Sequence, residues 1–365
     1  MTRIKKIHFI GVGGVGMSGI ASVAAKQGYE VSGSDLRKSY LTDMLHKEGV
    51  KIFIGQKAEN ISSVKPDLVV VSTAIMQNNP ELTAAKEAHI KIWHRAQMLA
   101  HLGDKLKTLA VAGTHGKTST SSMLASVMDE IGADPTFLIG GVVRKYGTNA
   151  KCGKGSYYVV EADESDKSFT YLNPHAAIIT NIEADHLDHY TNLDEIYEKF
   201  ATFIGSLPKD GFCVVCGDDK KALQTCKDST NNVISYGFNS TCDCVISDYS
   251  TEGVGCKFTL TLPVFKNTKS KRKSEVAINC KLKQNPGQHY AKNAAGVLVL
   301  LDALGYDIQK CADALANFAG IKRRFDLIGT QNDITVVDDY GHHSTEIANT
   351  VHAACSLNFN NVHVV

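Results

Sequence analysis

Gly113-Thr114-His115-Gly116-Lys117-Thr118-Ser119-Thr120 follows an apolar run, Leu109 to Ala112, and precedes a helical stretch, Ser121 to Ile131. A strand, a glycine-bounded loop and a helix start in that order form the arrangement that grips a nucleoside triphosphate. The glycines let backbone N–H groups close on phosphate oxygens, Lys117 adds a point charge, and the Thr118 or Ser119 hydroxyl can ligate magnesium. ATP is the expected nucleotide. The general phosphate loop has four residues between its first Gly and the Gly-Lys pair, whereas this one has two, Thr114 and His115. A plain Gly-rich turn is the other reading, but such turns rarely place Lys-Thr in the first helical turn.

Working outward, two later apolar runs end in acids. Tyr157 to Val160 runs into Glu161-Ala162-Asp163-Glu164-Ser165-Asp166, and Ala176 to Thr180 into Asn181-Ile182-Glu183-Ala184-Asp185-His186-Leu187-Asp188-His189. In open α/β sheets ligands bind beyond the carboxyl ends of the strands. If these strands neighbour the loop, the cluster suits magnesium with phosphate oxygens. Taken singly most of these acids, Glu183 and Asp188 included, read as helix caps or solvated loop residues.

Towards the N-terminus, Ile7 to Ile10 leads into Gly11-Val12-Gly13-Gly14-Val15-Gly16, a helix-like stretch to Gln27, then Tyr29 to Ser32 and Asp35. This is the dinucleotide fingerprint, with an acid about twenty positions on. Alone it suggests a nicotinamide dehydrogenase, which has no use for the Lys117 loop. A nucleotide-consuming enzyme can instead use it for the diphosphate of a second, nucleotide-linked substrate, because backbone N–H groups hold any pyrophosphate alike. The expected class is α/β, with boundaries near 105 and 322. Residues 242–282 read as an antiparallel insertion, from alternation such as Phe258-x-Leu260-x-Leu262. A third unit, 323–365, offers a strand (Ile334 to Val337), a helix with Ile347, Val351 and Ala354 on one face, and a strand start at Val362 to Val365.

Composition excludes other classes. With 365 residues, 43% hydrophobic and a formal charge of +1, the chain gives no electrostatic case for nucleic acid or membrane as a partner. The basic segment Lys266 to Lys273 reads as a solvated hairpin loop. No segment reaches the roughly 18 apolar residues of a membrane span, and the start runs directly into a strand rather than forming a signal peptide. Ten scattered cysteines, mostly in apolar runs, fit buried thiols in a reducing cytoplasm. Cys213 and Cys216 fall on opposite faces of a strand-like run, which argues against zinc.

The motifs Gly-Val-Gly-Gly-Val-Gly-Met-Ser-Gly-Ile-Ala (11–21), Gly-Ser-Asp (33–35), Gly-Thr-His-Gly-Lys-Thr (113–118), Glu-Ala-Asp-Glu-Ser-Asp (161–166), Asn-Ile-Glu-Ala-Asp-His-Leu-Asp (181–188), Arg-Arg-Phe (323–325) and Asp-Asp-Tyr-Gly-His-His (338–343) resemble, in order and along the whole chain, the Mur ligases of peptidoglycan synthesis. The likeness is to the branch that adds the first amino acid. It implies three domains: a Rossmann-like domain (1–105) for a UDP-sugar, a central P-loop ATPase-like α/β domain with an antiparallel insertion (106–322), and a partial C-terminal Rossmann-like domain (323–365). It further implies UDP-N-acetylmuramate and L-alanine as substrates, with ATP and Mg2+.

By the same resemblance Gly11, Gly13, Gly14, Gly16, Met17, Ser18 and Asp35 would bind the UDP-sugar. Gly113 to Ser119, Asn293, Arg324 and Asp339 would bind ATP, and Thr118, Glu161 and His186 the metal. Lys117 would act on the terminal phosphates, with Tyr340 and His342 near the reacting carboxylate. His342 is the candidate base for the alanine ammonium, and a structural imidazole is the alternative. Position 290 is Tyr where the family often has Asn, and Ser344 stands where Pro is usual. The register of the carbamylated lysine of several relatives falls near Ala201, two positions from Lys199. The family continues past residue 365 with a His-Arg motif for the amino acid, so this chain alone is expected to ligate slowly or not at all. A sister ligase that attaches a tripeptide shares most of these motifs, and a dehydrogenase or non-catalytic nucleotide-binding protein is the alternative from another class.

Overall fold

The structure is a computed structural model that describes residues 4–165, 167–185, 190–357 and 359–365. Two compact units emerge. The first runs to Leu106 and takes in Thr136–Gly140 and Asn149–Lys154; the second comprises Lys107–Pro135, Gly141–Thr148 and Gly155–Val365. Residues 323–365 thus group with the second unit.

The first unit alternates strand and helix: β1 (Lys6–Ile10), α1 (Val15–Lys26), β2 (Glu30–Asp35), α2 (Tyr40–Lys47), β3 (Lys51–Ile54), α3 (Ala58–Val64), β4 (Leu68–Val71), α4 (Pro80–Glu87), β5 (Lys91–His94) and α5 (Arg95–Leu102). The strands pair in parallel in the order β3-β2-β1-β4-β5, so each connection is a helical crossover. The order reverses beside β1, and the glycine loop lies there, at the β1–α1 turn. Polar residues interrupt the apolar strands. His8 and Ser34 are fully buried, and they are tolerated because buried Glu81 accepts from Ser34 Oγ, takes a hydrogen bond from Asn60 Nδ2 (2.5 Å) and lies 3.6 Å from His8 Nε2.

The second unit begins with β6 (Lys107–Ala112) and α6 (Lys117–Glu130). The strands β7 (Thr136–Val143) and β8 (Thr148–Lys151) contribute residues to both units. Then come β9 (Tyr157–Glu161), β10 (Ala176–Ile179), α7 (Leu193–Gly205), β11 (Phe212–Cys216), α8 (Lys220–Ser229), β12 (Val233–Gly237), β13 (Cys244–Glu252), β14 (Gly255–Leu262), β15 (Val276–Leu282), α9 (Gln288–Ala303) and α10 (Ile308–Leu315). The sheet passes through β15-β14-β13-β12-β11-β10-β6-β9. β9 to β13 and β6 run parallel, and β13, β14 and β15 form the antiparallel extension expected for 242–282. Every residue of β10 and β11 is buried, the mark of a parallel sheet covered on both faces. α9, buried almost throughout, packs on α6, α10 and the central strands.

The tail of the chain departs from the sequence reading. β16 (Asp326–Gln331) and β17 (Ile334–Asp338) form an antiparallel hairpin ahead of α11 (Ser344–Cys355), and residues 361–365 form no strand. Asn332 and Asp333, both at positive φ (49° and 61°), close the hairpin with Gln331 paired to Ile334. Two left-handed residues match the right-handed twist of the flanking strands, and Asn and Asp adopt that conformation most readily. The local turn therefore gives β17 its partner. All ten cysteines are free thiols; Cys213 and Cys226 lie Sγ to Sγ at 3.7 Å.

Candidate active site

β6 lies between β9 and β10, in register with both. That single fact brings the acids after β9 and the Asn181 segment after β10 to the two sides of the Gly113–Gly116 loop. Gly113 (φ 134°) and Gly116 (φ 84°) both need the left-handed region. A Cβ on Gly113 would overlap Thr180 Oγ1 and come 2.8 Å from the Asn181 carbonyl oxygen.

Asn181 clamps the loop. Thr114 N–H donates to its carbonyl (3.1 Å) and His115 N–H to its Oδ1 (2.9 Å), while Asn181 Nδ2 and Thr180 Oγ1 donate to the His115 carbonyl (3.0 and 2.6 Å). Thr114 Oγ1 takes the Glu183 N–H (2.8 Å). The loop is thus fixed before any ligand arrives. The N-cap of α6 is Gly116, which has no side chain to cap the helix, and the first turn starts at Lys117, so the positive end of the helix faces the loop.

Lys117 Nζ donates to the Gly113 and Thr114 carbonyls (2.8 and 3.1 Å) and pairs with Glu164 Oε1 at 2.8 Å. Both side chains are nearly buried, at 12% and 3% exposure. Burial opposes the Lys117 charge, but the neighbouring carboxylates, Glu164 foremost with Glu161 and Asp163, together raise its pKa, so the ammonium persists. Burial pushes the Glu164 carboxyl up to about 7, with Lys117 acting in the opposite direction. Nothing in the sequence distinguished Glu164 from the other acids of its cluster. Its pairing depends on which strand end faces the lysine.

Thr118 Oγ1 donates to Glu161 Oε1 at 2.8 Å. A hydroxyl and a carboxylate oxygen side by side form a hard-donor pair of the kind Mg2+ takes alongside water and phosphate. His186, the third expected ligand, lies outside the described residues, as do Asp188 and His189. Ser119 is buried in the first turn of α6. Asn293, on α9, packs against the loop: a Cβ on Gly116 would meet its Oδ1 at 2.8 Å.

The segments that flank the β16–β17 hairpin also reach this site. Asp339 accepts from Phe325 N–H (2.7 Å) and Gly341 N–H (2.8 Å), which fixes the backbone turn that carries Tyr340 and His342. Tyr340 is half exposed beneath the Arg323 guanidinium, 4.6 Å from ring centre to carbon, with Arg324 at 5.7 Å. Glu346 collects three cations or imidazoles: Arg324 Nη1, His115 Nδ1 and His342 Nδ1 lie 3.5, 3.4 and 3.5 Å from its carboxylate oxygens. Burial alone would raise its pKa, but the His115 hydrogen bond and the Arg324 guanidinium hold it down at about 2. Sequence reasoning did not single out Glu346; the available signal was an acid in the first turn of the helix, four positions after His342.

In the first unit Gly13 N–H donates to Asp35 Oδ2 (2.9 Å), and Arg37 N–H sits 3.3 Å from Oδ1. Asp35 therefore organises the loop. Gly11 takes φ 78°, Gly14 precedes α1 without a side-chain cap, and Gly16, Met17 and Ser18 lie in the first turn, with Ser18 Oγ donating to the Val15 carbonyl at 3.0 Å. Met17 and Ser18 are buried.

A glycine fingerprint on one parallel α/β unit and a lysine-bearing phosphate loop on another define a nucleotide-dependent ligase of the Mur type. Residues 6–106 match the Mur ligase family catalytic domain and residues 111–301 the Mur ligase middle domain; the chain belongs to the Mur ligase family. It is 43% identical, over 96% of its length and 73% of the relative's, to the UDP-N-acetylmuramate–L-alanine ligase of Carboxydothermus hydrogenoformans. It superposes on the crystal structure of UDP-N-acetylmuramate-alanine ligase from Thermotoga maritima with a TM-score of 0.81 at 30% identity, covering 97% of this chain and 78% of that one. The UDP-N-acetylmuramate:L-alanyl-gamma-D-glutamyl-meso-diaminopimelate ligase of Neisseria meningitides gives 0.76 at 27%, covering 88% and 100%. Among the described residues no helix is long and apolar enough to cross a membrane.

Proposed function

We propose that this chain uses ATP to convert the carboxylate of UDP-N-acetylmuramate to an acyl phosphate, which the amine of L-alanine then attacks, in peptidoglycan synthesis. The observation that carries the reading is the clamped loop with Lys117 at its mouth, in a chain 43% identical to an alanine ligase. A carboxylate is a poor acylating agent, and both steps gather negative charge, so catalysis is mostly positioning and charge stabilisation. Lys117 takes the terminal phosphates, and the loop N–H groups and the start of α6 orient them.

Thr118, Glu161 and His186 would hold Mg2+, which neutralises phosphate charge when bound. Asn293, Arg324 and Asp339 sit beside the nucleotide. His342 removes a proton from the alanine ammonium, with Tyr340 next to the reacting carboxylate. Gly11, Gly13, Gly14, Gly16, Met17, Ser18 and Asp35 form the diphosphate loop of the UDP-sugar. Residues 323–365 are read as part of a C-terminal Rossmann-like domain. Free thiols suit a reducing, cytoplasmic setting.

Isothermal titration with UDP-N-acetylmuramate tests the substrate, and NAD serves as the competing ligand; tight NAD binding without UDP-sugar binding would reverse the assignment. Gly13→Val is expected to abolish UDP-sugar binding while ATP binding persists. The added side chain meets Asp35 Oδ2 at 2.8 Å and Thr42 Cγ2 at 3.1 Å from its first carbon alone, and it occupies the path of the diphosphate. Retained UDP-sugar affinity in the variant would remove this loop from the site.

Glu164 gives the pH dependence. Its carboxyl, near 7, is protonated as pH falls from 8 to 6, which frees Lys117 and removes a negative charge from the phosphate site. ATP affinity is expected to rise over that interval. Glu164→Gln should bind ATP about tenfold more tightly at pH 8, one pKa unit being about 1.4 kcal/mol, with a flatter profile. Parallel profiles in the two proteins would show that Glu164 does not compete for the lysine.

A further inference from the structure

We infer that the chain carries a second divalent-cation site, built from His115, Glu183 and His343 and suited to a transition metal of the zinc class. Its ligands are distinct from the Thr118–Glu161 pair proposed to face the phosphates. One donor atom from each of the three side chains falls within 4.8 Å of the other two. His115 Nε2 and Glu183 Oε2 are already 3.5 Å apart, close to the ligand-to-ligand separation that bonds of roughly 2.0–2.1 Å produce around a tetrahedral ion. His115 is 8% exposed, and its Nε2 makes no hydrogen bond among the described residues. A buried imidazole nitrogen without a hydrogen bond, facing a carboxylate and a second imidazole, calls for a partner, and a cation is a partner that all three donors can share.

The surroundings are those of a ligand set. Glu346 Oε1 lies 3.4 Å from His115 Nδ1; a carboxylate there keeps the proton on Nδ1 and leaves Nε2 as the free lone pair, the usual outer support of a metal-bound histidine. Thr345 Oγ1 donates to Glu183 Oε2 at 3.1 Å and orients that carboxylate, whose backbone N–H is tied to Thr114. The rings of His115 and His343 stand 4.6 Å apart, centre to centre. His343 Nδ1 takes the Thr345 N–H at the start of α11, but at 3.3 Å, so little is lost when that bond yields. Metal on Nδ1 replaces it directly, and metal on Nε2 sends the Nε2 proton to Nδ1.

Two imidazoles and one carboxylate favour zinc-class ions over magnesium, which prefers oxygen donors and its own water. Three protein ligands also leave a fourth position open. The ion would tie the phosphate loop, through His115, to the segment after β10 and to the start of α11.

The test uses the tag-free chain, stripped with a chelator and freed of it, without nucleotide and with millimolar Mg2+ present. Zn2+ is titrated calorimetrically and Co2+ by its visible absorption, which is intense when coordination is fourfold. We expect one equivalent bound in competition with Mg2+. Affinity should fall at least tenfold in Glu183→Gln and in His343→Asn, the second chosen because Asn keeps the cap of α11, with the melting temperatures of the metal-free proteins unchanged. Glu161→Gln should bind as the unmutated chain does. Absence of stoichiometric binding would overturn the inference, as would binding that survives His343→Asn and disappears in Glu161→Gln, which would put the ion on the phosphate side.

Discussion

Lys117→Ala is expected to weaken ATP binding by about 10- to 100-fold and to lower the rate of phosphoryl transfer by a further 10²- to 10³-fold, with UDP-N-acetylmuramate affinity unchanged. The first figure is the worth of a charge-assisted hydrogen bond, about 1.5–3 kcal/mol, and the second that of one preorganised donor at developing charge. The UDP-sugar is spared because the loop proposed for it belongs to the other compact unit.

The same substitution reaches stability through Glu164, which loses the cation paired with it at 2.8 Å and is 3% exposed. Breaking a buried pair from one side costs about 3–5 kcal/mol unless the remaining group neutralises. Here it can, because burial already raises the Glu164 carboxyl to about 7 against the opposing pull of Lys117. Without the lysine the folded-state value goes higher still, while the unfolded value stays at that of an ordinary carboxyl. Between the two the folded protein holds a proton that the unfolded chain lacks, so the variant loses stability as pH rises through that window. Urea unfolding at pH 6 and pH 8 measures this. An equal loss of stability at both pH values would mean that Glu164 is not the group left behind, and equal loss of both nucleotide affinities would remove Lys117 from the ATP site.

What was legible in the sequence follows from the range of the interactions involved. The Gly113 loop, the β1–α1 fingerprint and the alternation of β14 are local patterns, and the structure forms elements where each predicted them. The neighbouring of β9, β6 and β10 was legible only as a condition, because strand order is a tertiary fact. The partners that the order selects were not legible at all. Lys117 and Glu164 are 47 positions apart and His115 and Glu346 are 231 apart, and no spacing rule connects them. Glu183, read alone as a solvated acid, stands beside His115 because Asn181 clamps the loop next to it. The strand start expected at Val362 to Val365 does not form, and the strand at Ile334 pairs instead with Asp326–Gln331 across the Asn332–Asp333 turn. The two-residue hairpin won because its pairing closes locally, with little loop entropy to overcome.

Gly113→Ala is expected to be the most damaging single substitution in the loop, destabilising the second unit by about 2–6 kcal/mol and abolishing ATP binding. Two terms add. A non-glycine residue at φ 134° bears backbone strain of about 1–3 kcal/mol, and its Cβ overlaps Thr180 Oγ1 and approaches the Asn181 carbonyl oxygen and amide nitrogen at 2.8 and 3.0 Å, overpacking that typically costs about 1–3 kcal/mol. The obstacle is largely backbone. Neither β10 nor the Asn181 clamp can move aside without releasing the hydrogen bonds that hold Thr114 and His115, so relief of the clash unmakes the phosphate loop. Gly132→Ala separates the two terms, since Gly132 also has a positive φ (82°) but a Cβ there meets nothing within 4 Å. It should lose only the conformational part, about 1–2 kcal/mol, and keep its ATP affinity. Urea melts of the two variants, with ATP titrations on each, decide the point: equal destabilisation with ATP binding retained in Gly113→Ala would show that the loop is not wedged between β6 and Asn181.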